Sequence, residues 1–148
     1  MPIDNTFDVE DLIIAKLDSL FELDMILSED LAQDIDVNFF NTIEKVEERV
    51  GCIVMDAGYR ADPLVGDKRA PKQRLKMLWQ IVIICPKDLR KTVGGLKRME
   101  VMQKLKGYRL SEEIGIMQLI DDERGFNRPE YAGDMAYLPI MFTVDTVI

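Results

Sequence analysis

Every second residue from Leu75 to Cys85 is apolar: Leu75, Met77, Trp79, Ile81, Ile83 and Cys85. A period of two places them on one face of an extended strand, because successive β side chains point to opposite faces. Val82 and Ile84 make the other face apolar towards the end, which reads as a central strand that Pro86 terminates. Such a segment cannot stand alone. It requires further strands beside it and helices above it to bury its apolar face.

The remaining patterns supply both. Leu138, Ile140, Phe142 and Val144 alternate with Tyr137, Pro139, Met141, Thr143 and Asp145, a closing strand. Pro139 has no N–H for a ladder, so this strand begins there or lies at a sheet edge. Cys52–Met55 follows Gly51 as a short buried strand, and Ile116–Glu123 reads as another. Val9, Leu12, Ile13, Leu17, Leu20 and Leu23 recur at helical spacing, giving an amphipathic helix over Asp8–Leu23 with Asp8, Glu10 and Asp11 at its positive end. Phe39, Phe40, Ile43, Val46 and Val50 line a second helical stretch, and Ser28-Glu29-Asp30 reads as a turn or helix start with Ser28 as its cap. A third helix spans Val93–Leu105, with Leu96, Met99, Met102 and Leu105 on one side and Gly107 as its stop.

These elements predict one α+β domain over residues 1–148, a mixed and mostly antiparallel sheet packed against helices. A long loop is expected between the first two strands, from Gly58 to Gln73, rich in Gly, Pro and charge. Loops of that length in a small domain commonly bind something, which makes this one the first functional candidate.

The chemistry of catalysis is not found. The chain has no histidine, so the common general base for a serine or cysteine nucleophile is missing. Ser19, Ser28 and Ser111 lie in no nucleophile pattern, and Gly94-Gly95 lacks the spacing of a phosphate-binding fingerprint. Asp121-Asp122-Glu123 alternates across a strand and reads as a solvated end. Cys52 and Cys85 sit inside apolar runs as small core residues, and two cysteines without histidine make no zinc site. No catalytic, cofactor or metal residue is expected, and the chain is read as a binding protein, not an enzyme. No apolar run approaches the roughly 18 residues of a membrane span. The start, Met1-Pro2-Ile3-Asp4-Asn5, is acidic, so no secretory leader is expected and cytoplasmic synthesis follows.

The net charge of −8 conceals a division along the chain. Residues 1–50 carry a net −11, residues 51–110 a net +9, and residues 111–148 a net −6. Arg60, Lys68, Arg69, Lys72, Arg74 and Lys76 lead the basic segment, followed by Lys87, Arg90 and Lys91. As a nucleic-acid patch they would work against the chain's overall acidity, and the loop offers only Tyr59 for stacking. As a protein interface, Arg60, Lys68, Arg69, Lys72 and Arg74 would meet the acidic flanks of a neighbouring copy. A solvated charged loop is the plain alternative.

The order of these elements carries a resemblance. An amphipathic first helix, a strand before a long loop, LKMLWQIVIIC, the helix VGGLKRMEVMQKLKG and the closing strand YLPIMFTVD together resemble the tail terminator, or tail completion, proteins of tailed bacteriophages. The likeness runs from about Val9 to Val147, and the stretch Asn38–Val50 departs from the minimal pattern. It implies a homohexameric ring at the head-proximal end of the tail tube, which stops tube growth and joins the tail to the neck. The implied partners are further copies of the chain, the tail tube protein, a neck or head-completion protein and, if the tail is contractile, the sheath. DNA would pass through the lumen without specific binding, and no membrane or cofactor is involved. The virion is the implied location. Another neck or head-completion connector, or a small regulatory nucleic-acid-binding protein, are the rival readings.

Overall fold

The computed structural model describes residues 5–22, 25–28, 43–64, 66, 71–120 and 127–148. Its centre is the strand expected from the alternation, here β3, Arg74–Pro86. On one side it pairs antiparallel with β2, Gly51–Ala61, and on the other with β6, Met135–Val147. Three shorter strands complete the six-stranded sheet of the described residues: β1, Ile26–Ser28; β4, Gln118–Leu119; and β5, Glu130–Ala132. The order is β1-β2-β3-β6-β4, and β5 also pairs with β6. Only β1 and β2 run parallel, so the sheet is mixed and mostly antiparallel.

Two helices lie on one face. α1 spans Phe7–Leu17 and continues as a 3-10 turn, Asp18–Leu20. Its start is closed reciprocally: Phe7 N–H donates to Asn5 Oδ1 at 2.9 Å and Asn5 N–H to Asp8 Oδ2 at 3.0 Å, as in a capping box. Val9, Ile13 and Leu17, spaced by four, are fully buried. α2 spans Gly95–Leu105 and is entered through a π-helical turn, Arg90–Gly94. Gly107, at φ +74°, lets the chain leave the helix in the left-handed conformation that stops it.

The faces of the sheet follow from the pleat. Met77, Trp79, Ile81, Ile83 and Cys85 on β3 are buried with Leu138, Ile140, Phe142 and Val144 on β6 and Cys52 and Val54 on β2. This is the helix side. A Cβ at Gly94 would lie 2.7 Å from Cys85 Sγ and 2.9 Å from Leu138 Cδ1, so α2 approaches the sheet at a distance only glycine permits.

Several expectations need correction. α2 does not bury Leu96 and Met99, which are 63% and 52% exposed; its inner positions are Gly94, Lys97, Val101 and Leu105. The reason is the close approach at Gly94, which sets the inner stripe at positions i, i+3, i+7 and i+11 from that glycine. Lys97 is accommodated there because its ammonium finds partners: Leu20 O at 2.5 Å, Glu48 Oε2 at 2.9 Å and Glu100 Oε2 at 3.5 Å. The loop is also shorter than Gly58–Gln73. Gly58–Ala61 belongs to β2, which passes through a bulge between Asp56 and Tyr59 and then pairs again, Tyr59 with Met77 and Ala61 with Leu75. Gly58, at φ +95°, makes the bulge and donates its N–H to Asp56 Oδ1 at 2.7 Å. The connection between β2 and β3 is therefore 62–73. Ser28 lies in β1 and not in a helix cap; Glu29 and Asp30 fall outside the described residues. Of Ile116–Glu123, only Gln118–Leu119 forms a strand, Ile116 makes a single bridge to Arg109, and 121–123 fall outside the described residues. Of the second helical stretch, Ile43 and Val50 are buried in the core and Val46 packs against it, while Phe39 and Phe40 are not among the described residues.

Candidate interaction site

The basic positions flanking β3 divide between its two ends. At the first end, Arg60 stands opposite Lys76, and Lys76 opposite Asp145, in one cross-strand row of β2, β3 and β6. Asp62 N–H donates to Arg74 O at 3.0 Å at the same end, and Arg74, two residues before Lys76 on β3, shares its face. Arg60, Arg74 and Lys76 alternate with the core residues Met77 and Trp79, so they project from the side of the sheet opposite the helices. All three are exposed. Lys76 faces an opposite charge in Asp145 on β6, which supports that pairing, whereas Arg60 faces a like charge in Lys76, so strand pairing does not explain the presence of Arg60. Of the other expected interface residues, Lys72 is exposed two residues before β3, and Lys68 and Arg69 lie outside the described residues.

The backbone holds this end firmly. Gln73 and Ile148 exchange both N–H···O bonds at 3.0 Å, and Gln73 Nε2 donates to Asp62 O at 2.7 Å. Beside it opens a shallow groove of about 340 Å³, lined by Arg74, Arg109, Glu112, Glu113, Asp145 and neighbours. Gly115 closes the groove's floor: its N–H donates to Asp145 O at 2.6 Å, and a Cβ there would press against the same oxygen at 3.3 Å. Arg109 is fixed by donation from Nη1 to Ile114 O at 2.6 Å. Charges of both signs from distant parts of the chain thus meet at one end of the sheet. The division along the sequence is partly undone in space.

At the other end of β3, Lys87 and Arg90 stand against the β5–β6 hairpin, and Lys91 is exposed next to Arg90 in the chain. Arg90 Nη1 donates to the Tyr131 hydroxyl at 2.6 Å, and the Lys87 ammonium lies 5.4 Å from that ring's centre. The two clusters are separated by the length of β3, roughly 40 Å at 3.3 Å per residue. They do not form one continuous basic patch.

Two helix stripes face outward. On α1 and the turn after it, Phe7, Asp11, Ala15 and Asp18 are all exposed. On α2 and its last turn, Leu96, Met99, Gln103 and Lys106 are exposed. The sequence marked neither stripe, because hydrophobic counting assigns Leu96 and Met99 to the core.

Burial raises the Cys52 thiol far above its ordinary range. The Cys85 thiol is raised by burial and then by the Asp88 carboxylate, against a weaker opposing hydrogen bond from Gly94. Both favour the unreactive neutral form. Among the described residues no three His, Cys, Asp or Glu side chains gather where they could hold a metal ion, and no helix is long and apolar enough to cross a membrane. No family model matches the chain, and no curated protein matches it either.

Proposed function

We propose that this chain is a structural virion subunit that closes with further copies, as a hexamer, into a ring capping the head-proximal end of a phage tail tube. The ring stops tube growth and offers a surface to the neck. The observation that carries this reading is the distribution of exposed charge over surfaces that stand apart: Arg60, Arg74 and Lys76 beside acidic neighbours at one end of β3, Lys87, Arg90 and Lys91 at the other, and an acidic outer stripe on α1. A ring subunit meets its neighbours and the tube through different surfaces, and opposite signs on them favour the right pairing and oppose wrong ones. A nucleic-acid binder needs its phosphate contacts on one continuous track, and roughly 40 Å of strand divides these clusters.

On this reading the chain works by binding. The Arg60–Arg74 end docks on the tube or the neck, and DNA passes the acidic remainder without specific contact. The test is complementation of a phage lacking the protein by a variant carrying Arg60→Glu and Arg74→Glu. Both residues are exposed, so the melting of the isolated subunit should move by no more than about 0.5 kcal/mol. Infectious yield should fall, and imaged tails should lose their uniform length. Normal yield and normal tails with the double variant would remove the support for this surface.

A further inference from the structure

The outer stripes of α1 and α2 match each other in length, polarity and sign. From Phe7 to Asp18 the α1 stripe begins with an apolar ring and then carries two carboxylates, Asp11 and Asp18, about Ala15; from Leu96 to Lys106 the α2 stripe begins apolar and ends basic. At 1.5 Å per residue these are about 16 Å and 15 Å long. Laid parallel, Phe7 meets Leu96 and the edge of Met99, Asp11 falls between Met99 and the Gln103 amide, and Asp18 meets Lys106. Laid antiparallel, the apolar ends meet charges.

The two stripes do not satisfy each other within one subunit. All the residues named are exposed, although the helices are tied together elsewhere, where the Lys97 ammonium takes the Leu20 carbonyl at 2.5 Å and the Lys16 ammonium covers the Tyr108 ring at 3.7 Å. Both ties lie towards the C-terminal end, at Lys16 on the last turn of α1 and at Leu20 in the 3-10 turn after it. Phe7 stands about 14 Å along the axis from Lys16. Glu100, the acidic residue on the same turn as Met99, is turned towards Lys97 at 3.5 Å and leaves the stripe's sign to Lys106.

We infer that the outer stripe of α2, Leu96, Met99 and Lys106, seats the acidic outer stripe of α1, Phe7 and Asp18, from a second copy of this chain. The contact is heterologous, since each copy gives one stripe and receives the other, and it repeats around a ring. The inference rests on the ring reading and names the surface that would close it.

The experiment is sedimentation velocity of the full chain, wild type against Leu96→Glu/Met99→Glu, Asp18→Lys, Lys106→Asp and the combined charge swap. Burial of two large side chains predicts that the first variant weakens self-association by at least roughly tenfold. Each single charge reversal should weaken it by roughly two- to five-fold, and the swap should restore it. Circular dichroism of every variant should match wild type, because all four positions are exposed. Unchanged association in Leu96→Glu/Met99→Glu overturns the assigned surface while leaving the ring reading in place. A wild-type chain that stays monomeric at all concentrations overturns the self-contact, and phage complementation then judges the ring reading separately. A stripe variant that self-associates normally but loses another virion protein assigns the face to that protein instead.

Discussion

Arg98 donates twice to the carbonyl oxygen of Pro139, from Nε at 3.2 Å and from Nη2 at 2.6 Å. Both backbone polar groups of a strand residue point to the same side, and on its other side β6 is paired with β3 throughout, Pro139 facing Val82. The carbonyl therefore opens on the side where β5 ends at Tyr137 and β4 begins its pairing at Phe142. Proline has no N–H to leave unpaired in that gap, and the guanidinium satisfies the carbonyl. Pro139 neither starts the strand nor lies on a long free edge; it sits in a break between two short edge strands.

Replacing Arg98 by Ala should cost about 1–3 kcal/mol, since it leaves the buried Pro139 carbonyl and the Asn127 carbonyl, held at 2.5 Å, without this donor. Arg98→Lys should recover only part, because an ammonium cannot reproduce the fork. Urea denaturation followed by the emission of the single tryptophan, Trp79, gives both values. Equal stability of all three proteins would mean that water replaces the guanidinium at no loss.

Lys97→Met keeps the aliphatic packing and removes the ammonium from Leu20 O and Glu48. A loss of about 1–3 kcal/mol is expected from the orphaned carbonyl. Glu48 is half exposed, so its ion pair adds little once screened. Amide exchange should quicken across 43–50, the segment Glu48 ties down. Exchange that speeds uniformly through the protein would show that Lys97 anchors no particular segment.

Gly94→Ala should destabilise by about 1–3 kcal/mol through overpacking against Cys85 and Leu138. Gly94→Ala combined with Cys85→Ala should recover part of that loss, since the tighter contact is with Sγ. Calorimetric melting of the two proteins decides the matter.

Phe142→Ala should cost about 3–5 kcal/mol, because the ring is fully buried between β3 and the helices. A melting curve like that of the wild type would contradict the register Trp79 opposite Phe142.

Stability should also fall in alkali. The folded thiols of Cys52 and Cys85 are raised, whereas an unfolded thiol ionises near about 8.5. Between those values the unfolded chain has lost protons that the folded chain keeps. The contribution is therefore full below about pH 8.5 and declines as pH rises from there, by up to about 1.4 kcal/mol per unit for each thiol. Urea melts at about pH 8 and pH 9.5 should differ accordingly, and Cys52→Ala should flatten the slope.

The strands β3 and β6 were legible because a period of two survives any tertiary arrangement in which one face is buried. α1 was legible for the matching reason, its apolar residues recurring at helical spacing, but not to its expected end at Leu23: the α-helix stops at Leu17, its 3-10 turn at Leu20, and Phe21 is extended. α2 was legible as an element but not as a face: the partners that let Lys97 go inward lie 77 and 49 residues away at Leu20 and Glu48. No local pattern contains them. At Asp56–Gly58 the signal was ambiguous, since Gly with Asp marks a turn or a bulge equally well and only the renewed pairing of Tyr59 with Met77 decides. Of the expected interface, Arg60 and Arg74 do share a face, whereas the opposite stripes of α1 and α2 became visible only once the inner positions were known.

The ladder between β3 and β6 runs through thirteen successive residue pairs, from Arg74 with Val147 to Pro86 with Met135, without a break in register. Such a ladder has no hinge. It acts as a strut: a load applied to the hairpin end at Arg74 is delivered at Pro86, where the chain passes through a 3-10 turn, Lys87–Leu89, into the π-helical entry of α2. Anything that docks at one end of the sheet is mechanically in touch with the helix layer at the other.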